Sequence, residues 1–266
     1  MDYVRPPQLV ETMLDTGTSK GDLPVGQIMV RGMLGGAFLA YGTSMAFFGV
    51  AQGMIPILAA ALFPLGFIVI NLLQVDLATG YFCYVPLAYT QGRMPFGKLV
   101  RCLCLVYVAN LLGSVAYAVL LWAALTTTGR TPDATGIAGV LIKVGTSKTL
   151  HYEQFGLAGA FTAFVKGILC NWFVTLGVIL PMMSRSVIGK ALATFVPIYL
   201  FFGMGWEHLI VNMFIIPSAM LYGAPIGWGD WWIGNELPVT LGNFVGGFFF
   251  TGLAVGWIYR AKRVAA

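Results

Sequence analysis

Apolar residues in this chain do not recur at the spacing of one helix face or one sheet face; they run on in uncharged blocks. Gly32–Val75, Cys102–Gly129, Gly167–Ser184 and Leu237–Tyr259 contain no Asp, Glu, Lys or Arg. Each matches or exceeds the roughly 20 residues of one helical membrane crossing. Pro7 to Lys20 is the exception, with Leu9, Val10, Met13 and Leu14 at helical spacing among polar residues. That spacing predicts a short amphipathic helix lying on the membrane face, so residues 1–25 form an N-terminal helix and 26–266 a transmembrane domain.

Two further apolar segments, Met54–Gly92 and Ala191–Gly229, have the wrong length. Each holds 39 residues, which as one straight helix would be about 58 Å long against a hydrocarbon core of about 30 Å. Reading either as a hairpin would carry Arg93, Lys98 and Arg101 to the outside. The basic residues argue against that. Arg5, Lys20, Arg31, Arg93, Lys98, Arg101, Arg185, Lys190, Arg260, Lys262 and Arg263 fall on one side, and Arg130, Lys143 and Lys148 on the other. The positive-inside rule then gives six crossings with both termini cytoplasmic, in the inner membrane of a cell. Each long segment is one crossing interrupted by extended backbone, which is tolerated at that depth where it is buried or lines a wet cavity.

The interrupted segments hold one acid each, Asp76 and Glu207. An asparagine-and-glycine motif follows both, Asn110 to Gly113 and Asn243 to Gly246. The halves read as a duplication of opposite topology, which places a permeation site at the midplane between them. Half-helix N-termini turned toward that site favour an anion there. Gly32, Gly35, Gly36, Gly242, Gly246 and Gly247 fit close helix packing, and Trp228, Trp231 and Trp232 fit an interfacial belt.

Composition agrees: 58% of residues are hydrophobic and 9% charged, too few polar side chains to coat a soluble globule of this size. The net charge of +5 is spread along helix ends, as topology requires, and points to no nucleic-acid partner. Cys83, Cys102, Cys104 and Cys170 lie in apolar segments without metal-ligand spacing, so no metal, disulfide framework or other cofactor is expected.

The candidate chemistry is the adjacent pair Glu207 and His208. Ionisable residues at bilayer depth are costly and usually face a pathway; the bland alternative is an imidazole satisfied by a backbone carbonyl. Glu207 and Asp76 read as acceptors for backbone N–H groups freed at the interruptions. Lys148 sits in a Gly129–Tyr152 loop, and the depth of Lys166 stays open. An intramembrane enzyme is the rival class, with Ser44 and two histidines, His151 and His208, but neither GxSxG nor HExxH is present. A passive structural subunit is the other alternative.

Asp76-Leu77-Ala78-Thr79, Cys170-Asn171-Trp172, Gly205-Trp206-Glu207-His208 with Asn212 and Pro217, and Pro238-Val239-Thr240 before Asn243 together resemble the formate/nitrite transporter family over nearly the whole chain. The resemblance implies an all-helical, aquaporin-like fold, a homopentamer in membrane lipid, and one pore per subunit for small monovalent anions. It also implies a pore histidine at His208, a vestibule lysine at Lys148, and lining residues at Leu77, Thr79, Asn171 and Asn243. Apolar constrictions fall at Phe63, Phe67, Ala78 and Phe201. Ala78 and Phe67 depart from the phenylalanine and leucine common there. Formate is the expected substrate, with nitrite, hydrosulfide or short monocarboxylates as alternatives. A charged anion crosses an apolar constriction at high cost, so a proton is expected to travel with it by way of His208.

Overall fold

The computed structural model describes residues 2–259; Arg260, Lys262 and Arg263, counted above among the inner basic residues, lie outside that range. Helix α1 (Pro6–Asp22) begins on two prolines, whose fixed φ suits a first turn. It buries Leu9, Val10, Met13 and Leu14. That apolar face lies against the bundle, chiefly on residues 78–90, rather than on lipid. At Gly17 an added Cβ would stand 2.2 Å from the Tyr84 carbonyl oxygen, so only glycine allows this seat.

The remaining elements are α2 (Val25–Ala51), α3 (Pro56–Leu73), α4 (Ala78–Thr90), α5 (Phe96–Leu125), α6 (Ile137–Lys148), α7 (Leu150–Glu153), α8 (Leu157–Met183), α9 (Val187–Gly203), α10 (Leu209–Leu221) and α11 (Trp228–Ile258). Among the described residues five of these, α2, α3, α5, α8 and α11, are long and apolar enough to cross a membrane. Helix α3 reaches that length by itself at 18 residues, and α9 and α10 are shorter apolar helices.

Lengths recur along the chain. α2 and α8 have 27 residues each, and α5 and α11 have 30 and 31. α4 and α10 both have 13 and carry a proline, Pro86 and Pro217, at the ninth position. Helix α2 packs on α5, and α8 on α11. Backbones touch at those crossings: a Cβ on Gly113 would stand 2.0 Å from the Met33 carbonyl oxygen, and one on Gly242 2.1 Å from that of Phe164. Small residues permit this approach, and dispersion over the close contact holds the pairs together.

Local chemistry sets where helices tighten or stop. Pro64 lacks an N–H, and the preceding Ala60–Leu62 winds as a 3₁₀ turn. Helix α3 ends at Gln74, in the left-handed region at φ 54°, and the chain resumes helix at Ala78. Helix α9 ends before Gly205, at φ +68°, and helix resumes at Leu209. Trp228 is exposed, as an interfacial residue would be, but Trp231 is buried and donates its indole N–H to Glu236 at 3.1 Å.

Candidate functional site

Both interruptions are held the same way. In the first, the Asn110 side chain accepts the Ala78 N–H at 2.8 Å and donates to the Asp76 and Gly32 carbonyls at 2.8 and 2.7 Å. In the second, Asn243 accepts the Leu209 N–H at 3.1 Å and donates to the Glu207 and Gly167 carbonyls at 2.9 and 3.0 Å. Each asparagine thus supplies the hydrogen bonds that a continuous helix would have supplied. Asn171 joins the two ends by donating to the Thr79 and Asn243 carbonyls, at 3.1 and 2.7 Å.

Each acid beside an interruption is met by cations or dipoles from distant elements. Lys20 of α1 donates to Asp76 Oδ1 at 2.5 Å, and Arg31 of α2 to Oδ2 at 2.9 Å. Arg31 also donates to the Gln74 carbonyl, which fixes the left-handed residue. Glu207 accepts from Lys148 at 2.8 Å, Tyr152 at 2.9 Å, Asn212 at 2.8 Å and Asn235 at 3.3 Å. A buried carboxylate needs partners of this kind. All four donors are side chains, not the freed backbone N–H groups expected from the sequence, because Asn243 and His208 already occupy those.

His208 is fully buried. Its Nδ1 accepts the N–H groups of Ile210 and Val211 at 3.2 and 3.3 Å, capping α10. With Nδ1 an acceptor, the hydrogen of a neutral ring sits on Nε2. Among the described residues Nε2 has no partner, nor does the hydroxyl of buried Thr79. Phe201 lies face to face with the imidazole at 5.5 Å, Phe63 meets Phe201 edge-on at 5.5 Å, and Phe202 stacks on Phe63 at 3.9 Å. Phe67, Leu77 and Ala78 are buried as well.

Two cavities take in residues next to the two interruptions. The larger, about 720 Å³, is lined by Lys148, Lys166, Glu207 and Phe201 among others. The smaller, about 280 Å³, is lined by Lys20, Gln74, Asp76 and Lys190 among others. His208 follows a residue of the first, Leu77 a residue of the second. Among the described residues no group of three or more His, Cys, Asp or Glu is arranged to hold a metal.

Residues 7–257 match the model of the formate/nitrite transporter family. The chain belongs to this family. It is 33% identical to the probable formate transporter of Methanothermobacter thermautotrophicus, over 90% of this chain and 91% of that one. It is 29% identical to the formate channel FocA of Haemophilus influenzae, over 82% and 79%. An FNT family ion channel shares the fold at TM-score 0.77 and 24% identity, covering 96% of this chain and 99% of the other. A pentameric formate channel with formate bound does so at 0.70 and 23%, over 89% and 98%. The protein is therefore a member of a membrane transporter family, with several apolar helices of crossing length.

Within this family member Phe63, Phe201 and His208 lie ring against ring, Glu207 pairs with Lys148, and Thr79, Leu77, Ala78 and Phe67 are each buried. Asn243 spends its side-chain hydrogen bonds on backbone, whereas Asn171 leaves Oδ1 unpartnered. Lys148 is not in a loop: it ends α6, where a cation complements the helix dipole. Sequence reasoning missed Lys20, Arg31, Tyr152 and Asn235 as partners of the two acids. They come from distant segments; Arg31 and Asn235 stand out as polar side chains in apolar neighbourhoods, while Lys20 and Tyr152 sit among polar residues and carry no such sign.

Proposed function

We propose that this chain is a homopentameric membrane channel for small monovalent anions, formate first, in which His208 gives a hydrogen bond from Nε2 to the passing anion and so favours its protonation by solvent. The observation that carries the reading is the pair of buried, unpartnered polar groups, His208 Nε2, with Phe201 stacked on its ring, and the Thr79 hydroxyl, each next in sequence to or near residues that line a cavity. A buried polar group without a partner is costly, and a transient guest relieves it. The Phe63, Phe67 and Phe201 constrictions make a bare charge expensive to move. Formate that accepts a hydrogen bond from His208 Nε2–H and takes up a proton from solvent entering with it crosses as neutral formic acid and releases that proton beyond, the ring staying neutral throughout. Six crossings, two of them interrupted, in an inverted repeat with cytoplasmic termini are part of the same proposal. The paired lengths of α2 and α8, α4 and α10, and α5 and α11, and the matching asparagine contacts, support the repeat. Residues 1–25 then cap the cytoplasmic face and 26–266 form the channel.

Formate uptake by proteoliposomes under an imposed pH gradient tests this. Wild-type flux rises with the inward proton gradient, and His208→Asn lowers flux and flattens its pH dependence. Unchanged flux and pH dependence in the variant would overturn the proton role. Nitrite carried with formate excluded would move the substrate assignment to nitrite.

A further inference from the structure

Lysines 143, 148 and 166 line the cavity of about 720 Å³, the outer one on the topology proposed above, against one lining carboxylate, Glu207. Lys148 and Glu207 are paired at 2.8 Å with side chains only 12% and 2% exposed, so their charges largely cancel for an approaching ion. Lys143 is solvent-exposed, and its field is screened by salt. Lys166 differs from both. It is half-buried, and no acidic group among the described residues lies within ion-pair distance of it. Its one hydrogen bond goes to the Tyr152 hydroxyl at 3.0 Å, with Nζ 5.2 Å from that ring's centre. An ammonium has three N–H donors, which leaves two for a guest. Tyr152 donates onward to Glu207 at 2.9 Å. Lys166, Tyr152, Glu207 and Lys148 therefore form a hydrogen-bonded line on the cavity wall, in which Glu207 directly precedes His208 in the chain.

We propose that Lys166, rather than the neutralised Lys148, is the charge that captures the anion in the outer cavity, with Tyr152 holding its ammonium in place. The anion docks on the two unused N–H groups, then moves past Phe201 to His208. A partly desolvated cation in a cavity of apolar walls focuses its field and raises the local anion concentration. This inference rests on the anion-transport reading, and its test has one arm that needs no transport.

In the first arm, formate uptake by proteoliposomes of the full chain is measured against concentration at two ionic strengths. Lys166→Gln raises the half-saturating concentration about fivefold, changes maximal flux less than twofold, and weakens the salt dependence of half-saturation. Lys166→Arg restores most of the affinity, and Tyr152→Phe, which keeps the charge, loses less than Lys166→Gln. In the second arm, Ser147→Cys in a Cys104→Ser background places a thiol on the cavity wall. Its modification rates by an anionic and a neutral methanethiosulfonate are compared, and Lys166→Gln lowers their ratio about fivefold. Lys166→Met serves both arms if the glutamine variant does not fold. A drop in maximal flux alone, with half-saturation and reagent ratio unchanged, would make Lys166 a tether for the Thr149–Gly156 segment and overturn the proposal. If the wild type carries neither formate nor nitrite, the transport reading fails, and the reagent ratio still decides whether Lys166 is the cavity's attracting charge.

Discussion

Glu207 is 2% exposed and held by four donors, so the cost of disturbing it depends on which partner is removed. Lys148→Met leaves a buried carboxylate without its cation, a loss of about 3–5 kcal/mol of stability. Thermal unfolding of detergent-purified protein measures this, and Lys148→Met with Glu207→Gln should unfold closer to wild type than Lys148→Met alone. Asn243→Ala removes three hydrogen bonds and strands two buried carbonyls and an N–H; at about 1 kcal/mol each the cost is roughly 3 kcal/mol. Asn110→Ala should cost the same within about 1 kcal/mol, because its three partners are equivalent. A much smaller effect at either position in the same unfolding assay would mean that water replaces the amide.

Among the elements, α6 has both ends fixed. Asp133 accepts from Thr135 N–H, Thr135 hydroxyl and Ala138 N–H at 2.8, 2.6 and 2.9 Å ahead of its first turn, and Lys148 closes the other end. Burial raises the Asp133 carboxyl, but the hydrogen bonds from Thr135 and Ala138 outweigh it and hold the group below its ordinary range. The sign follows from that depression: Asp133 contributes fully above about pH 4, and its share is lost as pH falls through the lower folded value. Exchange of the α6 amides in Asp133→Asn, compared with wild type at pH 7 and at pH 3, checks this: the variant should open α6 at pH 7, with the difference shrinking at pH 3. The helix itself was legible in the sequence, since Ile137, Leu141 and Gly145 recur every fourth residue and are buried. At the crossing of α8 and α11, Gly242→Val drives a side chain into the Phe164 carbonyl, and the yield of folded protein should collapse, as read by size-exclusion profile.

For the whole molecule, the uncharged blocks carried what was legible: an all-helical chain with several apolar helices of crossing length. The partners of Asp76 and Glu207 were not legible, because Lys20 is 56 residues from Asp76 and Lys148 59 residues from Glu207. Apolar side chains stay on the outside as well; Leu157, Ile188, Ile233 and Trp257 are at least 74% exposed. Such a surface suits lipid and neighbouring copies. Native mass spectrometry from detergent should give five chains per particle, and a monomer would count against the pentamer.

The asparagine contacts at the two interruptions also bear on which ions are refused. Unwound backbone in a membrane commonly offers carbonyl oxygens that replace the water shell of sodium or potassium. Here the carbonyls of Asp76, Glu207, Thr79 and Asn243 already accept amide hydrogens, and the helices that restart at Ala78 and Leu209 turn partially positive ends to the same place. On the channel reading proposed above, a dehydrated alkali cation arriving there finds these carbonyls already engaged where it needs an oxygen cage, so the expected outcome is that proteoliposomes holding the protein keep a sodium or potassium gradient while small acids pass.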